Sequence, residues 1–279
     1  MKKIRIITDS SCDLPDFIIN KYNIGVAHLN VIFGDKAYID KVEIDEDEFY
    51  SMMKNSKELP KTSSPSPQRF IKEFEKEESD IIVVCLSSKL SSTHSSALIA
   101  KKMYEEDGGK NKIKVIDSLS GSLGMGISIL KACRMIENGS EFNNIVDSIE
   151  NDLKNSKTYV YLNTLENAVK AGRMSAVKGA IASALNFKFI VKVEDGIVKF
   201  VEKARGEKKI LSKIMQRIET ESDDLKNSII GIAHSNALEK AEILKEMLLE
   251  KYDLKEIVIS KMSSTIGTYT SEGAVLIRF

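Results

Sequence analysis

The sequence predicts an α/β protein with two α/β domains, the first of which has a mostly parallel sheet flanked by helices. Short runs rich in isoleucine and valine alternate with amphipathic stretches along all 279 residues. Continuous apolar strands that alternate with helices are typical of a parallel sheet buried on both faces. The length suits two modest domains. We expect the first at residues 1–156 and the second at residues 157–279.

In the first half, each predicted element has a boundary signal of its own. Strands are predicted at residues 4–7, 26–32, 37–39, 81–86 and 113–116. A helix should begin near Pro15, and Asp45 with Glu48 forms a capping-box pattern for a helix over 45–54. Pro67 suits the first position of a helix over 66–77. Further helices are predicted at 95–105, 122–137 and 141–154.

The second half is predicted to continue the alternation, with one hairpin. Strands are expected at residues 158–162, 188–193, 197–202, 229–233, 256–260 and 274–277. Helices are expected at 165–170, 176–184, 207–221 and 237–251. Asp195-Gly196 lies between two of these strands, and an Asp-Gly pair in that position is a strong hairpin signal.

Composition excludes several classes of function. Lysine plus arginine and aspartate plus glutamate both number 41, and this balance argues against nucleic acid as a partner. The cysteines are far apart in sequence, which is typical of a reducing compartment. The N-terminus lacks the apolar stretch of a signal peptide. We therefore expect a cytoplasmic protein. We also expect no metal or cofactor, because the three histidines, His28, His94 and His234, are dispersed along the sequence.

Hydroxyl side chains are concentrated in loops that follow or precede the predicted strands. Residues 62–66, 87–96 and 117–120 are each rich in serine or threonine. Ligands of open α/β sheets bind beyond the carboxyl ends of the strands, where helix N-termini point their amides. Hydroxyls and amides there suit an anionic oxygen head group. The alternative is that these residues only cap helices.

The sequence supports a catalytic function less well than a binding site. A GxSxG nucleophile elbow is absent from the sequence, and the glycine-rich segment 121–126 lacks the Lys-Ser/Thr of a P-loop. Ser91 and His94 could form a nucleophile and its base, but no orienting acid is evident. A hydrolase or phosphotransferase acting at this loop is the alternative function, and a regulatory binding module is a third.

Several motifs resemble, in order, those of the DegV family of bacterial fatty-acid-binding proteins. They are ITDSSCDLP at 7–15, TSSPS at 62–66, LSSKLSST at 86–93, VIDS at 115–118, Leu165-Glu166 with Gly172-Arg173, and IGT at 266–268. The resemblance spans nearly the whole chain. It implies a carrier, not an enzyme, that holds a long-chain fatty acid in a tunnel between its domains. It also implies a separate fatty-acid kinase that phosphorylates the bound carboxylate.

The resemblance also assigns residues to the head group of the fatty acid. It implies that Thr62 and Ser91 hold the carboxylate, with Thr93 in the same matching loop. A histidine normally joins them, but this sequence has Tyr269 in its place. Ser271-Glu272 likewise replaces the Gly-Pro of the family. We expect the Tyr269 phenol to donate to the carboxylate in place of the histidine.

Two arginines are candidates for contact with the kinase. Arg173 lies at a predicted helix break, and Arg205 begins a basic cluster with Lys208 and Lys209. Both segments match family positions, so we expect them to dock the partner. The alternative for Arg173 is a structural pairing with a carboxylate. The carrier role also allows transient contact with a membrane.

Overall fold

The computed structural model describes residues 3–175, 187–222 and 225–279. The strands of these residues, in chain order, are β1 (Ile4–Asp9), β2 (Gly25–Ala27), β3 (Asn30–Phe33), β4 (Lys36–Ile39), β5 (Lys61–Ser63), β6 (Asp80–Cys85), β7 (Ile113–Asp117), β8 (Thr158–Leu162), β9 (Phe187–Glu194), β10 (Ile197–Arg205), β11 (Ile229–His234), β12 (Glu256–Lys261) and β13 (Val275–Arg278). The helices are α1 (Asp16–Lys21), α2 (Glu46–Asn55), α3 (Pro67–Phe74), α4 (Thr93–Glu106), α5 (Leu123–Glu137), α6 (Phe142–Asn155), α7 (Glu166–Lys170), α8 (Glu207–Glu221), α9 (Leu238–Lys251) and α10 (Ser264–Thr270).

The first sheet is parallel throughout, as the sequence predicts. Its strand order is β2-β1-β6-β7. Successive residues of a strand point to opposite faces, so Ile81 and Val83 pack against α3 and α4, while Ile82 and Val84 belong to the core on the α5 side. Both faces are therefore covered, which explains why β6 is apolar at nearly every position.

The second sheet is mixed, with the order β10-β9-β8-β13-β11-β12. Only the β11–β12 pair is parallel within it, and the last strand, β13, lies antiparallel between β8 and β11. Helices α8 and α9 cover one face. Helix α5 packs on the other face and also on the first sheet, so it is buried almost all round. The largest apolar core therefore contains residues of both halves, while the domain boundary at residue 156 stays a prediction.

The segment 26–32 differs from the single strand that the sequence predicts. It is divided between β2 of the parallel sheet and β3 of a small sheet with the order β4-β3-β5. The expected β3–β4 hairpin is present, but β5 and α10 were not predicted. Both are short and rich in hydroxyl residues, so neither carries a hydrophobic period. Helix α3 also ends earlier than predicted, at Phe74. The helix predicted at 176–184 lies outside the described residues.

The hairpin predicted at Asp195-Gly196 is confirmed. Both turn residues have positive φ angles, 52° and 79°, as a type I′ turn requires. The tip of the hairpin contacts a loop of the first sheet, where the Ser87 hydroxyl donates to the Gly196 carbonyl at 2.7 Å.

The three cysteines, Cys12, Cys85 and Cys133, are buried free thiols. Within the described ranges, no helix has the length and apolar character needed to cross a membrane.

Candidate functional site

A cavity of about 330 Å³ lies between the carboxyl-end loops of the parallel sheet and one face of the second sheet. Its walls are apolar where β8, β9, β10 and β13 face it, and hydroxyl-rich where β5, the loop before α4, and α10 meet. The main apolar lining residues are Leu86, Leu90, Val160, Leu162, Val191, Val193, Val198 and Leu276. Such a volume, with few polar groups at one end, is typical of a small-molecule site.

Hydroxyl groups meet in pairs at the polar end of the cavity. Three of these pairs involve lining residues of β5 or of the loop before α4. Thr62 Oγ1 lies 2.5 Å from the Tyr269 hydroxyl, Ser91 Oγ lies 2.8 Å from Thr93 Oγ1, and Ser64 Oγ lies 2.8 Å from Ser92 Oγ. A hydroxyl offers one donor and two acceptor sites and can rotate its proton. These groups can therefore turn donors toward an anionic oxygen.

Thr62 and Ser91 are positioned by different elements of the first half. Thr62 is the middle residue of β5 and pairs with Val31 of β3. Ser91 lies two residues before α4, and its Oγ accepts from the Thr93 backbone N–H at 3.3 Å. The first amides of a helix have no partner within the helix, so the start of α4 adds donors beside Ser91. The structure thus brings Thr62, Ser91 and Tyr269 to the cavity wall, while Thr93 is fully buried behind Ser91 and does not line the cavity.

Tyr269 reaches this site from the second half through α10. Ser263 caps the helix, and its Oγ accepts from the Ile266 N–H at 3.4 Å. The phenol of Tyr269 then contacts Thr62 across the junction of the two halves. The hydroxyl therefore occupies a position at which it can donate to the same ligand as Thr62.

A group of fully buried carboxylates lies beneath the site, around the loop after β1. We call Asp9, Asp13 and Asp40 the carboxylate cluster. Asp9 accepts from the Leu86 N–H at 2.8 Å, Asp13 accepts from the Ser263 N–H at 2.8 Å, and Asp40 accepts from the Ser264 N–H at 3.1 Å. The sequence gives no signal for this grouping, because Asp40 is distant in the chain from its partners.

Burial changes the acidity of the carboxylate cluster. It raises the pKa of Asp9 to about 6 and the pKa of Asp13 to about 7, although hydrogen bonds and the nearby Lys41 partly oppose the effect on Asp13. It also raises the pKa of Asp40. Buried carboxylates favour the neutral form because the interior solvates charge poorly.

The two candidate docking arginines occupy different places. Arg173 lines the cavity, and its guanidinium carbon lies 5.2 Å from the centroid of the Tyr269 ring. Arg205 ends β10 and lies 5.2 Å from the Phe187 ring centroid. The residue after Arg173 bridges to Val198, which is seven residues from Arg205. At about 3.3 Å per residue, Arg205 lies roughly 23 Å along β10 from that bridge, so the two arginines lie near opposite ends of the strand.

The geometry gives little support to hydrolysis or phosphotransfer at the Ser91–His94 loop. In the part of the chain that the structure describes, Ser91 pairs with Thr93, and no hydrogen bond joins it to His94. A nucleophile needs its base within hydrogen-bond reach. The described residues also contain no group of three histidines, cysteines or carboxylates that could hold a metal ion.

Comparison with known proteins identifies the family to which this chain is similar. Residues 3–279 match the DegV family, a family of uncharacterised proteins. A DegV domain-containing protein of Clostridium acetobutylicum is 34% identical over 277 residues, covering 98% of this chain and 97% of the relative.

Two solved structures extend the similarity to three dimensions. A DegV-family protein of Ruminococcus gnavus, solved with vaccenic acid, has a TM-score of 0.93 at 29% identity, with 99% of both chains covered. The fatty acid kinase B3 protein of Streptococcus pneumoniae, loaded with linoleic acid, has a TM-score of 0.89 at 28% identity, again with 99% of both covered. Because the match to the family covers residues 3–279, this chain belongs to the DegV family.

Proposed function

We propose that this protein binds a long-chain fatty acid in the cavity and presents its carboxylate to a separate kinase. The observation that carries the proposal is the cavity itself, which combines apolar strand walls with paired hydroxyls at one end. The fatty acids in the two related structures support the same ligand class. The buried free thiols agree with a reducing compartment, so we place the protein in the cytoplasm.

The energetics fit an amphipathic chain. Burying about 14 methylenes at roughly 0.8 kcal/mol each gives about 11 kcal/mol before the costs of association. A buried carboxylate without partners would cancel much of that gain. Donors from Thr62, Ser91 and Tyr269, with Thr93 supporting Ser91, reduce this penalty. The protein holds the acid and supplies no catalytic group of its own.

Solvent extraction tests the ligand directly. The protein is purified, extracted with organic solvent, and the extract analysed by mass spectrometry. We expect close to one fatty acid per chain, and much less from the Thr62→Val/Ser91→Ala double variant at equal folding. An extract without stoichiometric lipid, together with no binding of added fatty acid, would refute the proposal. Ester turnover that disappears with Ser91 would favour a hydrolase instead.

For the kinase, we propose that Arg173 and Arg205 contribute to docking. Their spacing of roughly 23 Å along β10 fits within one interface of standard size, about 800 Å² per partner. Charges at the rim of an interface act mainly on the rate of association and are screened by salt. Arg173→Ala and Arg205→Ala should therefore lower acyl-phosphate formation by a cognate fatty-acid kinase, more so at raised salt.

The same variants distinguish docking from a structural role. Fatty-acid affinity and melting temperature should stay near wild type for Arg205→Ala. Lys226→Ala is the control, because this lysine is 71% exposed, lies three residues before β11 and is not among the residues that line the cavity. Arg173 differs because it lines the cavity. A lower melting temperature of the Arg173→Ala protein would indicate the structural alternative for this residue. Unchanged phosphorylation with both arginines removed would refute docking.

A further inference from the structure

The small sheet β4-β3-β5 contacts α10 at both ends of one helix face. Thr62 of β5 meets the Tyr269 hydroxyl, and Asp40, directly after β4, accepts from the Thr265 hydroxyl at 2.8 Å. Residues four apart lie on the same side of a helix. Thr265 and Tyr269 therefore form one face of α10, and the small sheet holds that face through a buried carboxylate and a cavity-lining hydroxyl.

Asp40 is placed to support the helix and not to touch a ligand. It is completely buried and does not line the cavity. Its Oδ2 accepts from Ser10 and Thr265, at 3.0 and 2.8 Å, and its Oδ1 accepts from the Ser264 N–H. These bonds fill most of the capacity of the carboxylate and fix both the start of α10 and its rotation about its own axis.

Further contacts of α10 come from other directions. The Asn167 side chain donates to the Thr268 carbonyl at 3.0 Å, and Thr270 Oγ1 lies 2.8 Å from Ser235 Oγ. Asp13 accepts from the Ser263 N–H. Without Asp40 these contacts would still hold the helix in place, but its face toward Thr62 would lose its buried anchor.

We propose that Asp40 is a positioning residue for the head group, acting through α10 so that the Tyr269 hydroxyl is held beside Thr62. This inference rests on the fatty-acid-binding function proposed above. It assigns a role to a residue that makes no contact with the ligand.

A double-mutant cycle between Asp40 and Tyr269 tests the proposal. Asp40→Asn keeps the size of the side chain but replaces one acceptor with a donor that faces other donors. We expect it to weaken fatty-acid binding about three- to fivefold, which does not exceed the effect expected for loss of the Tyr269 hydroxyl itself. In a Tyr269→Phe background the same change should cost less than about twofold, because coupled residues are not additive. A full penalty in that background would overturn the inference.

Asp152→Asn is the matched control. Asp152 is a largely buried carboxylate that pairs with Arg278 and accepts from Ser128 at 2.5 Å, away from α10. Its loss should lower the melting temperature without changing fatty-acid affinity. If Asp152→Asn weakens binding as much as Asp40→Asn, the effect of Asp40 is general destabilisation and the inference fails.

A readout without ligand separates this inference from the proposed function. With fluorotyrosine incorporated, the ¹⁹F resonance that disappears in Tyr269→Phe reports on Tyr269. It should shift in Asp40→Asn and not in Asp152→Asn, even if no fatty acid binds. Thr265→Val removes the same bond from the helix side and should shift it likewise, should Asp40→Asn fail to fold. An unmoved resonance in every folded variant of this bond would overturn the inference.

Discussion

The protein has two polar regions at the same edge of its parallel sheet, and they differ in what their hydrogen bonds serve. The hydroxyls that we propose for the head group form two pairs beside the cavity, Thr62 with Tyr269 and Ser91 with Thr93. The carboxylate cluster beneath is fully buried and accepts from backbone amides and hydroxyls of several segments. The hydroxyls can redirect their bonds to a ligand, whereas the carboxylates are committed to the fold. Variants of the hydroxyls should therefore change ligand affinity most, whereas variants of the carboxylate cluster should change the stability of the fold.

The largest effect on binding is expected from the head-group hydroxyls. Thr62→Val or Ser91→Ala removes a hydrogen bond to a charged group, which is worth about 1.5–3 kcal/mol. Each change should weaken fatty-acid binding at least about tenfold in an equilibrium titration. The melting temperature of the ligand-free protein should stay close to wild type. Unchanged affinity in both variants would contradict the assignment.

In the carboxylate cluster, we expect stability to depend on pH instead. Asp13 has a folded pKa of about 7 against an ordinary 3.8, so the folded protein takes up a proton that the unfolded chain does not. Its contribution is fully present below the unfolded pKa and is lost as the pH rises through about 7. Lowering the pH from about 8 to about 5.5 should raise the free energy of unfolding by about 2 kcal/mol from this group.

Denaturant titrations at both pH values measure the effect, with Asp13→Asn as the comparison. The variant should lose the part of the pH dependence that comes from Asp13. Other groups, such as the partly buried His28 and His234, contribute equally to both proteins and cancel in the difference. Identical pH dependence in wild type and variant would show that Asp13 is ionised throughout this range.

A smaller effect is expected for Tyr269, which belongs to the hydroxyl region but lies on a helix that the cluster anchors. Tyr269→Phe removes one neutral hydroxyl and keeps the ring, so we expect a loss of about 1 kcal/mol, or about fivefold in affinity. Thr62→Val in the same titration gives the scale for comparison. Equal affinity of Tyr269→Phe and wild type would mean that the ring fills space and its hydroxyl is not used.

The smallest effect on fatty-acid binding is expected at the end of α10, outside both regions. Ser271 has φ 64° and ψ 166°, a conformation that glycine adopts at little cost. Its buried Oγ has no hydrogen-bond partner in the described structure. Ser271→Gly should therefore raise the free energy of unfolding by about 1 kcal/mol and leave fatty-acid affinity unchanged. A destabilised variant would show that the serine makes a compensating contact in solution.

The sequence determined most of the regular architecture because local signals decide it. Apolar runs such as that of β6 form strands wherever both faces are covered, and Asp195-Gly196 turns the chain by its own backbone preference. Asp45 caps α2 as predicted, accepting from the Glu48 N–H at 2.8 Å. Motif order also indicated the family, and with it Thr62, Ser91, Thr93 and Tyr269 as candidates.

Tertiary structure alone decided how those candidates come together. The contact between Thr62 and Tyr269 joins residues 207 positions apart, and the segment that carries Thr62 becomes a strand only by pairing with β3. Helix α10 has no hydrophobic period, so its start depends on the carboxylates of Asp13 and Asp40. Local sequence sets propensity, but a buried carboxylate takes its partners from whatever the fold places beside it, because an unpaired one is too costly to keep.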